Sequence, residues 1–414
     1  MAAGSLIIGL LNFLLIYSIY GNSESADLYF LLTNGINILF LIVESLVSNY
    51  VYEFRMLRTS KERTSAYSTM LIFVVTISIS LTFIFLSVYV DIYEFIFNGE
   101  GDSSGIKIFS YFINVTSLYL ILQINVYSLN SIDKIGMGYI VSFIPQVFSF
   151  LSLVAITAGF MESNIDNVFV FLTIGYVFSS ILSLFLCLRY IGFSFTLNSD
   201  FLCSSVKKSI KSRTAANIHN VFLNYFIISV MSVAQSGTAS TFYYGKRIAE
   251  MFHLVIYGPL GKQMINSISD SWNVKNYKDF LSIRHDIFFK FPFVYILTLT
   301  LLLLILWIST EVTSIVSLDF YELSFVIIMY FAIHVVILFE SLYSIISMLT
   351  ASFRKILLAN VTFVIVLICF QKINLTGYLS VHLLCFSILL GQISVFCIHY
   401  IFNQELIKNH YQES

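Results

Sequence analysis

The sequence predicts an all-α protein that crosses a membrane many times, and three observations lead to that fold class. Of the 414 residues, 58% are hydrophobic and only 11% are charged, whereas a soluble domain carries about 25% charged residues. The apolar residues collect in segments of the length that spans a bilayer, about 20 residues. The 22 lysines and arginines fall mostly in short connections between those segments. So few charges cannot cover a surface that faces water, and lipid is therefore the predicted solvent.

Twelve apolar segments are long enough to be spanning helices. They are residues 4–20, 27–54, 66–97, 106–128, 135–160, 166–188, 214–235, 238–269, 286–309, 324–350, 356–371 and 377–402. The longest of them must tilt or extend into water. All the connections are short, which leaves no room for a soluble catalytic domain.

The basic residues predict the orientation of these segments. Clusters such as "RMLRTSKER" at 55–63 follow the second, sixth and eighth segments. The connections on the opposite side are acidic, as in "NGEGDSSG" at 98–105. Connections rich in lysine and arginine stay in the cytoplasm. The sequence thus predicts that both termini are cytoplasmic, and the count of twelve spans is even, as two termini on the same side require.

An internal repeat divides the chain into two halves. "LNFLLI" at 11–16 returns as "LNYFII" at 223–228, and "SESADLYF" at 23–30 returns as "SGTASTFY" at 236–243. Both offsets are close to half the chain. We therefore predict two pseudo-symmetric six-helix lobes, residues 1–200 and 201–414. Parallel repeats of this kind place a substrate site between them.

Polar residues form stripes on four of the predicted helices, where residues three or four apart share a face. Each charged residue near the centre of a membrane helix costs about 2.5–3.5 kcal/mol, so such stripes face protein or a wet cavity. We expect them to line a polar cavity between the halves. The candidate binding residues are Tyr243, Lys246, Arg247 and Glu250 of helix eight, Asp27, Asn34 and Asn37 of helix two, Asn224 of helix seven and Asn12 of helix one.

A purely structural role for these residues stays open at this stage. Glu250 lies four residues after Lys246 and three after Arg247, so one carboxylate could neutralise a cation within the helix. Asparagine stripes often serve as hydrogen-bonding contacts between membrane helices. Gly258 and Pro259 interrupt the helical pattern below this stripe and predict a kink.

Two motifs resemble a known superfamily of exporters. "YGKRIAE" at 244–250 followed by "LGKQMINSISDSW" at 260–272 is similar to the eighth-helix pattern of lipid-linked oligosaccharide flippases. "IYGNSESADLYF" at 19–30 looks like the first-loop and second-helix signature of the same group, the MOP exporter superfamily. That superfamily includes the lipid II flippase and the MATE multidrug exporters. The resemblance covers the whole chain and implies a MATE-like fold.

The resemblance also implies roles for two residues. Arg247 stands at the position of a cavity arginine, and Asp27 at that of an acidic residue at the head of helix two. Lipid II flippases, however, have arginines in helices one and two and typically fourteen spans. Here Asn12 stands near the first position, and "NILFLIVES" at 37–45 has no arginine. Both departures favour the Wzx-type flippases that move O-antigen or capsule repeat units.

The expected cargo is an undecaprenyl pyrophosphate that bears a short glycan, flipped outward across a bacterial inner membrane. Lys246 and Arg247 would bind the diphosphate, the glycan would lie against Asn, Tyr and Ser side chains, and the prenyl tail would stay in lipid. We expect no cofactor, with coupling to H⁺ or Na⁺ left open. Membrane lipids are expected partners, a polysaccharide polymerase and a chain-length regulator are further candidates, and nucleic acid is not expected.

Three other functions compete with this expectation. A MATE-like multidrug antiporter would use Asp27, Glu44 and Glu250 for organic cations, although the adjacent Lys246 and Arg247 argue against a cationic cargo. A lipid II flippase is the second alternative. A membrane-embedded polysaccharide polymerase, an enzyme, would need a large external loop with catalytic residues, and here the external connections are short. We therefore predict a transporter and not an enzyme.

Overall fold

The chain folds into α-helices throughout the part that the structure describes. The computed structural model describes residues 2–44, 50, 53–54, 57, 59–96, 103–232, 234–313, 320–349, 353–374 and 381–412. Among these residues there is no strand. The helices divide into two compact units, Met1–Val233 and Ala234–Ser414.

Within the described residues, the first unit contains seven helices. They are α1 (Ala2–Tyr20), α2 (Glu24–Glu44), α3 (Ser60–Ile96), α4 (Ser103–Ser131), α5 (Ile135–Thr157), α6 (Ile165–Tyr190) and α7 (Ser199–Met231). Side-chain hydrogen bonds join three of them. Tyr67 of α3 donates to Asn125 Oδ1 of α4 at 2.9 Å, and Asn125 Nδ2 donates to Ser183 Oγ of α6 at 3.0 Å. Such bonds stabilise helix contacts where no water competes for the polar groups.

The second unit contains six α-helices and a π-helical turn within the described residues. They are α8 (Thr238–Asn273), α9 (Tyr277–His285), the π-turn (Asp286–Lys290), α10 (Phe291–Thr313), α11 (Phe320–Leu349), α12 (Phe353–Asn374) and α13 (Val381–Gln412). Helix α11 is central to this unit, because α8, α10, α12 and α13 all pack against it. A Cβ on Gly391 of α13 would lie 2.8 Å from the ring of Phe363 of α12, so these helices also approach closely.

The described helices follow the predicted segments, with three differences. Helix α7 begins at Ser199 and not near 214, because the Asn198 side chain caps it by accepting the Phe201 N–H at 3.0 Å. Helix α8 runs through Pro259 and ends at Asn273, four residues beyond the predicted segment, and the kink at Gly258 and Pro259 stays a prediction. Proline removes a single helical hydrogen bond, and membrane helices tolerate that loss. The predicted ninth segment begins with the π-turn and is preceded by α9.

The boundary between the compact units lies after α7, and the division into lobes at residue 200 stays a prediction. Helix α7 packs against α2 and α3 of the first unit, whereas the predicted division assigns it to the second lobe. The duplication of the halves, the cavity between them and the cytoplasmic position of both termini stay predictions.

Seven stretches in the described residues are long and apolar enough to cross a membrane. They are Glu24–Ile42, Ser60–Ile84, Ile135–Thr157, Ile165–Tyr190, Tyr277–Leu304, Tyr321–Ser347 and Val381–Tyr411. The protein is thus a multi-pass membrane protein. Helix α8 is not among the seven, so its position in the membrane stays a prediction, as does the number of twelve crossings.

Candidate functional site

Helix α8 begins at a left-handed glycine and lies close against α11. Gly237, with φ of 87°, precedes the first turn, a backbone conformation that glycine adopts without strain. A Cβ on Gly245 would lie only 2.7 Å from Cγ1 of Val326 in α11. This close approach fixes the orientation of α8, and with it the side chains that follow Gly245.

Lys246, Arg247 and Glu250 form a charged group on α8, which we call the cationic cluster. Lys246 Nζ lies 3.8 Å from Glu250 Oε1, and Arg247 Nη1 lies 3.4 Å from Glu250 Oε2. The side chain of Arg247 is 53% exposed, whereas that of Lys246 is 14% exposed. Within the described residues, two cations thus share one carboxylate. The cluster keeps an excess positive charge, and its arginine is accessible.

Aromatic rings surround the inner side of the cationic cluster. Lys246 Nζ lies 5.6 Å from the centre of the Tyr243 ring, a cation–π contact. Tyr243 itself is buried, and the ring of Tyr330 in α11 lies 5.7 Å from that of Phe242. The Tyr243 ring thus holds the lysine against the helix, while the arginine remains at the surface of the unit.

Two histidines stack beside the cationic cluster, and we call them the histidine pair. The rings of His253 (α8) and His334 (α11) lie 4.1 Å apart and 13° from parallel. His253 Nδ1 shares a hydrogen bond of 2.6 Å with the hydroxyl of Tyr295 in α10. His334 is buried, and neither of its ring nitrogens has a hydrogen-bond partner among the described residues.

The first unit holds the remaining candidates. Asp27 and Asn34 of α2 are buried, whereas Asn37 is exposed. Asn12 Nδ2 of α1 donates to the Gln146 carbonyl of α5 at 3.1 Å, and Asn224 of α7 is half-buried. For Asn12 this contact is the interhelical role that the structural alternative expects.

The structure thus brings together the four candidates of α8. The contacts of the neighbouring residues of α8 were not predicted: His253 with Tyr295, Phe242 with Tyr330, and the stacking of His334 on His253. No signal in the sequence could have found these contacts, because tyrosine and histidine in apolar helices are common and the helices that meet here are far apart along the chain. The side chain of Glu44, the further candidate of the multidrug alternative, lies outside the described residues.

A second polar network joins α11 to α13. Gln392 Nε2 donates to Glu340 Oε2 at 2.9 Å, and His399 Nε2 lies 3.7 Å from Glu340 Oε1. Asn403 Nδ2 donates to Ser347 Oγ at 2.7 Å. Each of these side chains has a partner, so the network is typical of a structural contact between membrane helices.

Metal chemistry has no support in the described part of the chain. There, no three residues among histidine, cysteine, aspartate and glutamate come close enough to hold a metal ion.

Comparison with known proteins identifies the fold. No protein-family model matches the sequence, and no curated protein matches it either. Solved structures do match over nearly the whole chain. The lipid II flippase MurJ in an inward closed conformation superposes with a TM-score of 0.74 at 15% identity, over 99% of this chain and 89% of that one.

Two other transporters superpose in the same way. A multidrug resistance MATE family transporter of the MOP superfamily, in an inward-facing conformation, gives a TM-score of 0.72 at 12% identity over 99% of this chain and 96% of that one. A MOP superfamily transporter from Pyrococcus furiosus gives 0.62 at 11% identity over 98% and 92%. At such low identity the likeness concerns the fold alone. The chain has the fold that the MATE and MurJ transporters of the MOP superfamily share.

Proposed function

We propose that this protein is a flippase that moves an undecaprenyl pyrophosphate-linked oligosaccharide repeat unit from the cytoplasmic to the outer face of a bacterial inner membrane. The observation that carries the proposal is the cationic cluster, in which Lys246 and a half-exposed Arg247 share the single carboxylate of Glu250. The fold shared with a lipid II flippase supports the same class of cargo.

A diphosphate fits the cationic cluster chemically. Arginine offers a planar fork that binds phosphate oxygens in pairs, and lysine adds a point charge. An entering diphosphate competes with Glu250 for both cations, and the exposed arginine gives it a first contact. A cationic drug would meet the excess positive charge and be repelled.

The rest of the cargo would be handled by less specific contacts. The glycan would lie against amide and hydroxyl side chains, and the prenyl tail would remain in lipid. Alternating access would then expose the site to each side in turn. A membrane potential negative inside favours outward movement of an anion by about 2.3 kcal/mol per charge per 100 mV. A polysaccharide polymerase and a chain-length regulator would act on the product.

Replacement of Arg247 tests this function. In cells that depend on this protein for surface polysaccharide, we expect Arg247→Ala to lower the displayed polysaccharide by about tenfold or more, because truncating one partner of a charge pair costs about 2–5 kcal/mol. Arg247→Lys should restore part of the display, since it keeps the charge and loses the fork. Arg354→Ala, which removes an exposed arginine of α12, is the matched control and should have no effect.

The outcome also separates the competing functions. Normal polysaccharide display by Arg247→Ala, at equal protein levels in the membrane, would show that Arg247 has no part in cargo binding. Increased resistance to cationic drugs in cells that express the wild-type protein, with no change in polysaccharide, would instead favour a multidrug antiporter.

A further inference from the structure

The buried His334 is the feature of the second unit that the proposed function leaves unexplained. Its side chain is 8% exposed, and within the described residues both ring nitrogens lack a hydrogen-bond partner. Leaving a buried donor or acceptor unpaired costs about 1–3 kcal/mol. Native structures retain few such groups.

The surroundings of the histidine pair connect it to the cationic cluster. From α8, Glu250 interacts electrostatically with His253, and Lys246 does so with His334. The other titratable groups that face the pair are the hydroxyls of Tyr295 in α10 and Tyr330 in α11. A proton on His253 therefore acts on the carboxylate that Lys246 and Arg247 share.

The first unit shows that packing alone does not require histidines at this place. There, Phe40 of α2 stacks on Tyr119 of α4, with ring centres 3.8 Å apart and planes 8° from parallel. Helices α2 and α4 are the second and fourth spans of the first predicted half, as α8 and α11 are of the second. The same stack is built from phenyl and phenol rings in one unit and from two imidazoles in the other, and imidazole is the side chain that titrates near neutral pH.

We propose that the histidine pair is a proton-binding site whose occupancy is linked to anion binding at the cationic cluster. The inference rests on the proposed function and concerns proton binding at the site that receives the cargo. When a diphosphate displaces Glu250 from Lys246 and Arg247, one imidazole accepts a proton from water and becomes the cation that pairs with the released carboxylate. Two stacked imidazolium rings would repel each other strongly, so the pair takes up a single proton.

Two consequences distinguish this site from other ion sites. Because linkage is reciprocal, a proton that tightens anion binding is itself held more tightly once the anion is bound. Sodium cannot replace the proton, since an imidazole nitrogen is a poor ligand for a hard cation that prefers oxygen. Anion affinity should therefore depend on pH and not on the choice between sodium and potassium.

Calorimetry on the purified full-length protein in lipid nanodiscs tests the proposal. The probe is UDP-glucose, a soluble pyrophosphate diester whose two negative charges do not change in the range about pH 5–8 over which histidine titrates. Titrations in buffers of different ionisation enthalpy report the number of protons taken up with the probe. We expect uptake that approaches one proton per probe, and an affinity that rises about tenfold, or about 1.4 kcal/mol, as the pH falls through this range.

The informative variant is the double replacement His253→Phe with His334→Tyr, which copies the Phe40–Tyr119 stack of the first unit. It should still bind the probe at the alkaline end of the range, with no proton uptake and no dependence on pH. His382→Phe, which removes an exposed histidine of α13, should behave like the wild type. The single variant His334→Gln provides a second measurement if the double variant is unstable.

Three results would overturn the proposal: pH-independent binding by the wild type, unchanged proton uptake in the double variant, or an affinity that requires sodium at constant ionic strength. Absence of probe binding at every pH would instead contradict the proposed function. In that case, NMR spectra of ¹⁵N-histidine-labelled protein, with and without inorganic pyrophosphate, would show whether the histidine pair binds a proton. The proposal fails there if neither His253 nor His334 titrates between about pH 5 and pH 8 in either condition.

Discussion

Helices α2 and α8 occupy corresponding places in the predicted repeat, yet they carry different chemistry. The register that aligns Tyr29-Phe30 with Phe242-Tyr243 puts Asn34 opposite Arg247 and Asn37 opposite Glu250. In both helices the adjacent aromatic rings meet edge to face, at 5.3 Å in α2 and 5.4 Å in α8. The local geometry is thus shared, while neutral amides in one unit stand where the other has charges.

The corresponding residues also differ in burial: the neutral residue of α2 is buried and the charged residue of α8 is exposed. Asn34 is 6% exposed, whereas the side chain of Arg247 is 53% exposed. A buried amide can join two helices through hydrogen bonds, but an accessible arginine with a shared carboxylate can exchange its partner for a ligand. We infer that α2 serves mainly as scaffold at these positions, and that α8 carries the site that recognises an anion.

The largest effect on stability is expected from replacement of Leu32, the residue of α2 that stands opposite Gly245 of α8 in the repeat register. Leu32 is fully buried in the first unit, so α2 has a buried side chain at the position where α8 has a glycine. Leu32→Ala should lower the free energy of unfolding by about 2–5 kcal/mol through the cavity that it leaves. Thermal unfolding of the detergent-solubilised protein measures this, with Leu14→Ala as control, because Leu14 is 48% exposed. Equal losses for the two variants would contradict this assignment of Leu32.

Replacement of Gly245 should have the next largest effect. A methyl group there would meet the stiff side chain of Val326 at 2.7 Å, and overpacking of this kind costs about 1–3 kcal/mol. Gly9→Ala is the control, because both substitutions gain about 1 kcal/mol of helix propensity but a Cβ at Gly9 meets nothing within 4 Å. The difference in melting temperature between the two variants isolates the contact of α8 with α11. Equal melting temperatures would mean that α11 can move to accommodate the added methyl group without loss of stability.

The smallest effect is expected for Asn12. Asn12→Ala removes the 3.1 Å hydrogen bond to the Gln146 carbonyl, and hydrogen bonds between membrane helices are worth about 0.6 kcal/mol on average. Unfolding of this variant and of the exposed-site control Asn37→Ala should differ by about that amount. If Asn12→Ala left stability unchanged and yet lowered surface polysaccharide, Asn12 would bind cargo and would not be part of the scaffold.

Much of the architecture could be predicted because it depends on local chemistry. Each predicted segment overlaps a described helix, since long apolar runs in a chain with so few charges have no other stable form in lipid. Helix ends were harder to place. Asn198 shows why: its capping bond extends α7 into a polar stretch that hydropathy assigns to a connection.

The sequence by itself determined that this is a helical membrane protein, and it determined that Lys246, Arg247 and Glu250 share a helix face, because residues three and four apart always meet on an α-helix. Only the tertiary structure decided that His334 stacks on His253, that Tyr295 holds that histidine, and that Arg247 remains accessible while Lys246 is largely covered. These outcomes depend on which helices pack together and how closely, as at Gly245. That choice is made by the fit of whole helix surfaces, which no local pattern along the chain encodes.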